Sequence, residues 1–206
     1  VYFALVHSHL MYAIEIYANT CPSHLDRLCI LNNKLLRILQ FKPRKSPVIG
    51  LYADFNTLPL PELHKQQLLL FTFKVMQQPY TLPSVFKNYF NINSNVHTHA
   101  TRSRNNIHMN RQSTTCGQRC LKYKGACLWN NLPEYIKNQA SFNELKAMLR
   151  QHLVNEHCWR LLLVILFTLN FLYICISMYY MNLPSVLTVN CLLLCCFTYF
   201  QCEHQY

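Results

Sequence analysis

Apolar residues that recur every three or four positions set the strongest limit on what this chain can fold into. One run lies between residues 25 and 39, and a second begins after Pro61. This spacing predicts two helices, each with an apolar side that is buried against a neighbour. We expect Leu28, Leu35, Leu63 and Phe71 to be buried together. The two runs are Leu25, Leu28, Leu31, Leu35 and Leu39, then Leu63, Leu68, Leu69, Leu70, Phe71 and Phe73.

Further segments complete the predicted fold. Residues 2–17 predict a buried helix, and residues 83–90 predict a short one. Ser141-Phe142-Asn143-Glu144 is a capping box that begins a last amphipathic helix. Residues 96–127 are polar and predict a basic ribbon of two or three strands or an ordered loop. The predicted fold class is therefore mainly α, a small helical bundle with a basic loop or short β-ribbon, followed by one or two apolar helices.

Positive charge is concentrated in one part of the chain. The net charge is +11, and no acidic residue occurs between Glu62 and Glu134. Tyr123 and Trp129 lie among the cations; we expect Trp129 to fill the core rather than to stack on a base. The pattern predicts a surface for the phosphates of RNA or DNA, bound without sequence preference. Its cations are Arg102, Arg104, Arg111, Arg119, Lys122 and Lys124.

The last 46 residues are apolar and contain one charged residue, Glu203. Residues 159–181 are long enough for a helix that crosses a bilayer, and residues 185–200 form a second, shorter apolar run. If the tail is inserted, the cations before it place residues 1–158 in the cytosol. Otherwise the protein is expected in the cytoplasm or nucleus. The predicted domains are residues 1–90, a helical domain, residues 91–157, a basic region, and residues 158–206, the apolar tail.

The eleven cysteines suggest neither a disulfide framework nor a standard zinc site. The cysteines of the tail lie in apolar runs, where the side chain behaves as a small hydrophobic group. One set could form a metal cluster, although its spacing differs from the paired C-x2-C of zinc sites. That set is His108, Cys116, Cys120 and Cys127. We predict free thiols there, and no cofactor.

Several motifs occur in an order that resembles one protein family. Near the N-terminus they are Tyr2–Glu15, Leu31–Ile38 and Leu58–Leu63; later they are His97–Arg104, Thr114–Gly117, Gly125 and Leu128–Ile136. Together they are similar to the region that follows the palm in reverse transcriptases of LINE-type, jockey-like non-LTR retrotransposons. The resemblance covers roughly residues 1–155. Tyr17-Ala18 stands where the family usually has Trp-Gly, and Asn32 stands in place of Gln.

The resemblance implies that the first helices belong to the thumb, which grips template and primer. It therefore adds Lys34 and Arg37 as candidate nucleic-acid contacts. The Phe/Tyr-x-Asp-Asp turn of the palm is absent, and Asp26 and Asp54 are isolated aspartates. Two-metal phosphoryl transfer needs clustered carboxylates, so the chain is not expected to be an enzyme.

Three hypotheses about function remain open. The first is a retrotransposon polymerase fragment that lacks the catalytic palm and retains nucleic-acid-binding segments. The second is a membrane protein with a basic cytosolic domain and one or two C-terminal transmembrane helices, in which the same cations contact anionic lipid. The third is a small metal-binding module. A translated relic without function is a further alternative to all three, and no small-molecule substrate is expected.

Overall fold

A computed structural model describes residues 1–99, 101–139 and 141–181, without the side chains of residues 49, 157–162, 164–165 and 174–181. The described residues are mainly helical and contain no strand, which confirms the predicted fold class. A π-helical turn, Tyr2–His7, comes first, and two 3₁₀ turns, Pro79–Thr81 and Ser84–Phe86, follow the fifth α-helix. The α-helices are α1 Ser8–Met11, α2 Ile14–Tyr17, α3 Pro22–Leu39, α4 Val48–Asp54, α5 Leu60–Gln77, α6 Asn93–Val96, α7 Thr115–Gln118, α8 Leu121–Asn131, α9 Glu134–Lys137 and α10 Phe142–Met181.

The chain divides into two compact units, Val1–Glu156 and His157–Tyr206. In the first unit, α5 is buried along most of its length and forms the centre of the fold. The largest core cluster joins its C-terminal half to α8 and to the start of α10. Trp129 is buried in this cluster beside Phe73, which confirms its predicted role in the core. The predicted apolar side of the last amphipathic helix is also confirmed, since Leu145, Leu149 and Leu153 are buried.

The buried side of α3 differs from the predicted one. Leu28 and Leu63 do pack in one cluster, but Phe71 packs against another, and Leu35 is 38% exposed. The four side chains are therefore not buried together. Instead Asn32 and Leu36 face the interior, because the Asn32 amide is hydrogen bonded to two tyrosines. Tyr2 Oη donates to Asn32 Oδ1 at 3.2 Å, and Asn32 Nδ2 donates to Tyr52 Oη at 3.1 Å.

The first 17 residues are not one buried helix. A π-helical turn and α1 end at a break, where Ala13 has a positive φ of 53°, before α2 begins. Tyr2, Leu10 and Ile14 are buried, whereas Tyr12 and other apolar side chains between them are exposed. The predicted helix over residues 83–90 is likewise reduced to the 3₁₀ turn Ser84–Phe86.

The basic region was predicted to be a ribbon or loop because it is polar, but part of it is helical. Residues 121–131 form α8, and no ribbon forms in the described residues; a single antiparallel bridge joins Ile92 to Ile107. α8 is stable here because it packs closely on α5 through Gly125. A Cβ at this glycine would lie 2.9 Å from Thr72 Oγ1 and 3.1 Å from Phe90 Cζ, so only glycine permits the approach.

Two helices end in the same capping arrangement with different residues. After α3, Phe41 has a φ of 53° and Lys42 N–H donates to Arg37 O at 2.9 Å. After α4, Asn56 has a φ of 47° and Thr57 N–H donates to the carbonyl of Tyr52 at 3.0 Å. Both are Schellman motifs, in which glycine or asparagine normally occupies the left-handed position.

α10 continues without a break from the amphipathic segment into the first predicted apolar helix, residues 159–181. Two separate helices were expected, but the segment contains no proline or glycine to end the first. The second predicted apolar helix, residues 185–200, lies outside the described residues. Among the residues that are described, no helix is sufficiently long and apolar to cross a membrane.

Candidate nucleic-acid interface

The basic loop between α6 and α7, residues 97–114, is ordered because α8 holds its centre. Asn130 Oδ1 accepts the Ile107 N–H at 2.9 Å, and Asn130 Nδ2 donates to Ile107 O at 2.9 Å. Ile107 is almost completely buried. On the other side of the loop, Asn93 N–H donates to Asn106 O at 2.9 Å, and His108 N–H donates to Asn91 O at 2.7 Å. The loop is therefore attached to the core at one apolar residue, with its polar side chains left outside.

Two adjoining clefts follow this loop. The larger, of about 500 Å³, is lined by three histidines together with Asn, Thr and Ser side chains. The smaller, of about 230 Å³, extends to the start of α8. His108 and Met109 line both clefts, so the two form one surface, which we call the loop surface. Its other lining residues include Asn93, His97, His99, Thr101, Ser103, Asn106, Gln112, Gly117, Cys120, Lys122, Tyr123 and Asn130.

Histidine rings and a tyrosine supply flat groups on the loop surface. The rings of His97 and His108 meet edge to face, with centroids 5.3 Å apart. His108 Nδ1 lies 3.0 Å from Asn93 Oδ1, which holds the imidazole in place. Tyr123 is half-buried at the far end. Stacking groups beside amides are what an unpaired base requires.

The predicted cations fall into two groups. Arg102, Arg104 and Arg111 are exposed on the loop, and their guanidinium groups form no ion pair in the described part of the chain. Lys122 is also exposed, with Nζ 5.6 Å from the centre of the Tyr89 ring. These four side chains are free to meet phosphate at or beside the loop surface.

Arg119 and Lys124 are half-buried and differ from the others in their surroundings. Arg119 Nη1 donates to Cys21 Sγ at 3.0 Å, which connects the end of α7 with the start of α3. Burial lowers the pKa of the Lys124 ammonium, and the positive charges of Arg119 and Lys65 lower it further. Arg119 is therefore held by a contact with the start of α3, whereas Lys124 is partly withdrawn from water near other cations.

Lys34 and Arg37 lie on α3 and are not among the residues of either cleft. Lys34 is exposed. Arg37 has a partner within the fold, since its Nε and Nη2 donate to the Ser46 carbonyl at 3.2 and 3.1 Å. The structure thus assigns Arg37 a role in tying the end of α3 to the following loop.

The candidate metal cluster does not form. Among the described residues there is no group of three or more His, Cys, Asp or Glu side chains that could hold a metal ion. Cys116 and Cys120 are exposed thiols, whereas Cys127 lies two turns further along α8. A helix rises about 1.5 Å per residue, so α8 carries Cys127 about 10 Å away from the position of Cys120. The five described cysteines are free thiols.

Residues other than arginine and lysine contribute to the surface in ways that sequence reasoning missed. Asn93 and Asn130 fix the loop through backbone and histidine contacts, and His97 and His99 line the larger cleft. The clustering of histidine and asparagine between residues 91 and 110 was the available signal.

No family model, curated protein or solved structure matches this chain.

Proposed function

We propose that residues 1–155 bind single-stranded RNA or DNA without sequence preference, as a fragment of a LINE-type retrotransposon reverse transcriptase that lacks the palm. The observation that carries this proposal is the loop surface. It combines exposed cations, flat rings and amides over two joined clefts. The segment between Glu62 and Glu134 contributes no carboxylate to oppose phosphate.

Charge and geometry support single strands in particular. A duplex hides its base edges, whereas an unpaired strand can place bases on His97, His108 or Tyr123 while its phosphates meet the arginines. Arg102 and Arg104 lie near the larger cleft, whose lining includes neighbouring Thr101 and Ser103. Lys122 lines the smaller one. Lys34 is proposed as an outlying contact through its exposed ammonium, and Arg37 as a weaker one.

The test is the salt dependence of binding, measured with the full chain in non-ionic detergent. Each neutralised phosphate of a single strand contributes about 0.7 to the slope of log K against log salt, so four to six contacts give roughly −3 to −4. Replacing Arg102 and Arg104 with Gln should reduce the slope by about one to one and a half. The matched control is Arg44→Gln with Lys45→Gln, which removes the same charge from an exposed loop outside the clefts.

An equal reduction in both double variants would mean that general positive charge attracts the strand and that no local surface exists. Failure to bind at low salt would reject the proposal altogether.

A second candidate function is membrane association, which one observation favours. Apolar side chains between residues 163 and 173 of α10 are exposed, and they are distributed around the helix rather than confined to one side. A helix that is apolar all round is stable when an apolar medium or a partner surrounds it. The exposed side chains are Leu163, Leu166, Phe167, Leu169, Phe171, Leu172 and Tyr173.

Membrane association is tested by flotation with vesicles of neutral phosphatidylcholine, which offer no net charge to the cations. The full chain should float with them, and replacing Leu166, Leu169 and Tyr173 with Asn should reduce flotation. Flotation only with anionic vesicles would assign lipid binding to the basic residues instead.

A further inference from the structure

The larger cleft of the loop surface brings two imidazoles together. His97 and His108 both line this cleft, and their rings meet with centroids 5.3 Å apart. His108 also lines the smaller cleft, together with Lys122. No carboxylate is among the described side chains that line either cleft, so neither imidazole has an acidic partner there. Two imidazoles and an ammonium group therefore border one continuous surface.

Hydrogen bonds determine which nitrogen of His108 carries the proton when the ring is neutral. Asn93 Nδ2 donates to the Ser103 carbonyl at 2.9 Å, which turns Asn93 Oδ1 toward His108 Nδ1, 3.0 Å away. An amide oxygen can only accept, so His108 Nδ1 is the nitrogen that donates. The other ring nitrogen, Nε2, then carries a lone pair, and it makes no hydrogen bond within the residues that the structure describes. His108 therefore offers an oriented base at the surface that the two clefts share.

We propose that this site cleaves single-stranded RNA by transesterification at the ribose 2′-hydroxyl, with His108 as general base and His97 as general acid. The inference rests on the proposed function, because the strand must first lie along the loop surface. Histidine suits both roles, since an imidazole ordinarily titrates at about 6.5 and can accept or donate a proton near neutral pH. The reaction requires no clustered carboxylates, so their absence from the sequence does not oppose it.

The reaction balances with these side chains alone. His108 Nε2 takes the proton from the 2′-hydroxyl while that oxygen attacks the adjacent phosphorus. The bond from phosphorus to the 5′-oxygen of the next nucleotide breaks, and protonated His97 donates a proton to this leaving oxygen. The products are a 2′,3′-cyclic phosphate and a free 5′-hydroxyl, and proton exchange with water restores both imidazoles. The ammonium of Lys122, on the adjoining cleft, stabilises the negative charge that develops on the phosphate oxygens.

The test uses a fluorescent DNA oligonucleotide that contains a single ribonucleotide, incubated in EDTA with the full chain in non-ionic detergent. We expect cleavage only on the 3′ side of the ribonucleotide, with the 2′,3′-cyclic phosphate identified by mass spectrometry. Methylation of the 2′-oxygen removes the nucleophile and should abolish cleavage. Binding of the methylated strand, measured by fluorescence anisotropy, should persist.

Rates are measured with the protein at saturating excess over the strand, so that weaker binding does not lower them. His108→Gln and His97→Gln should each slow cleavage about a hundredfold or more, the usual contribution of a general acid or base. Lys122→Gln should also slow it. The matched control is His24→Gln, which removes an exposed imidazole outside both clefts and should leave the rate unchanged. All variants are purified identically and compared by thermal unfolding, which separates lost chemistry from a lost fold or a contaminating nuclease.

The outcomes separate RNA cleavage from strand binding. Binding of the oligonucleotides without cleavage by the parent chain would overturn the cleavage site and leave strand binding in place. Cleavage that persists in folded His108→Gln and His97→Gln proteins, or that EDTA stops, would assign the activity to other groups and reject the inference. Absence of both binding and cleavage would reject the two proposals together.

Discussion

Asn130 and Ile107 are joined by two hydrogen bonds of 2.9 Å, one in each direction between the side-chain amide and the backbone. The Ile107 side chain lies in the core, so these two bonds fix the point at which the basic loop leaves the core. The Asn130 amide of α8 therefore holds the centre of the loop against the core.

Asn130→Ala should therefore loosen the loop and destabilise the fold. Loss of the amide leaves the Ile107 N–H and carbonyl without partners, at a cost of about 1–3 kcal/mol. Hydrogen exchange should accelerate at residues 104–108, and strand binding should weaken. Asn131→Ala is the control, because that exposed side chain makes only a 4.0 Å contact with Cys127 Sγ. Unchanged exchange in Asn130→Ala would show that other contacts hold the loop.

Close packing requires glycine at position 125. The effect of adding a methyl group there on stability can be compared with the same change at a second helical glycine. Gly125→Ala should destabilise by about 1–3 kcal/mol through overpacking, since Thr72 Oγ1 is held by the Leu68 carbonyl at 2.8 Å. Gly50→Ala, where a Cβ meets nothing within 4 Å, should instead stabilise α4 by up to about 1 kcal/mol. Urea unfolding measures both. The same sign for the two variants would contradict the close approach of α5 and α8.

The orientation of α3 predicts opposite sensitivities for two adjacent leucines. Leu36 is completely buried, so Leu36→Ala should cost about 2–5 kcal/mol in the free energy of unfolding. Leu35 is 38% exposed and should cost less than about 1.5 kcal/mol when truncated in the same way. A larger loss of unfolding free energy in Leu35→Ala than in Leu36→Ala, measured by urea titration, would contradict the orientation of α3. It would mean that α3 buries the side predicted from its leucine repeat.

Phe41 holds a left-handed conformation that glycine adopts without strain. It is 96% exposed, so removing the ring loses no packing. Phe41→Gly should raise the free energy of unfolding by about 1 kcal/mol, because an L side chain in this region costs about 1–2 kcal/mol. Asn56→Gly tests the matching position after α4 and should change stability by a few tenths of a kcal/mol. A destabilised Phe41→Gly protein would indicate that the aromatic ring makes a contact in solution.

His64 makes stability depend on pH in a defined window. Burial, together with the smaller effects of the positive charges of Lys124 and Lys65, lowers the pKa of His64 from 6.5 to about 4. Between these values the unfolded chain binds more protons than the folded one, so the free energy of unfolding falls as pH falls, by about 3 kcal/mol in total. His7 contributes in the same direction, since burial also lowers its pKa.

His64→Gln should remove most of this slope in urea titrations between pH 7 and pH 4. His9→Gln, at an exposed position, should leave the slope unchanged. If both variants kept the full slope, the pH dependence would have to come from His7 or from carboxylates.

The helical content and part of the buried apolar surface could be predicted from the sequence, because spacing along a helix is a local property. The repeat after Pro61 predicted α5, and Leu145, Leu149 and Leu153 predicted the buried side of the last helix. The burial of Trp129 also followed from its apolar neighbours. Retrotransposon origin, nucleic-acid binding and membrane association stay predictions that the experiments above address.

Tertiary structure decided what local spacing could not. The Asn32 amide turned α3 because two distant tyrosines, Tyr2 and Tyr52, supply its hydrogen bonds. α8 formed in a polar segment because Gly125 lets it pack against α5. The charges also acquired different surroundings: Arg37 bonds to a carbonyl, whereas Lys124 is half-buried beside other cations. Such differences depend on residues that are far apart in the chain, and only folding brings them within reach of one another.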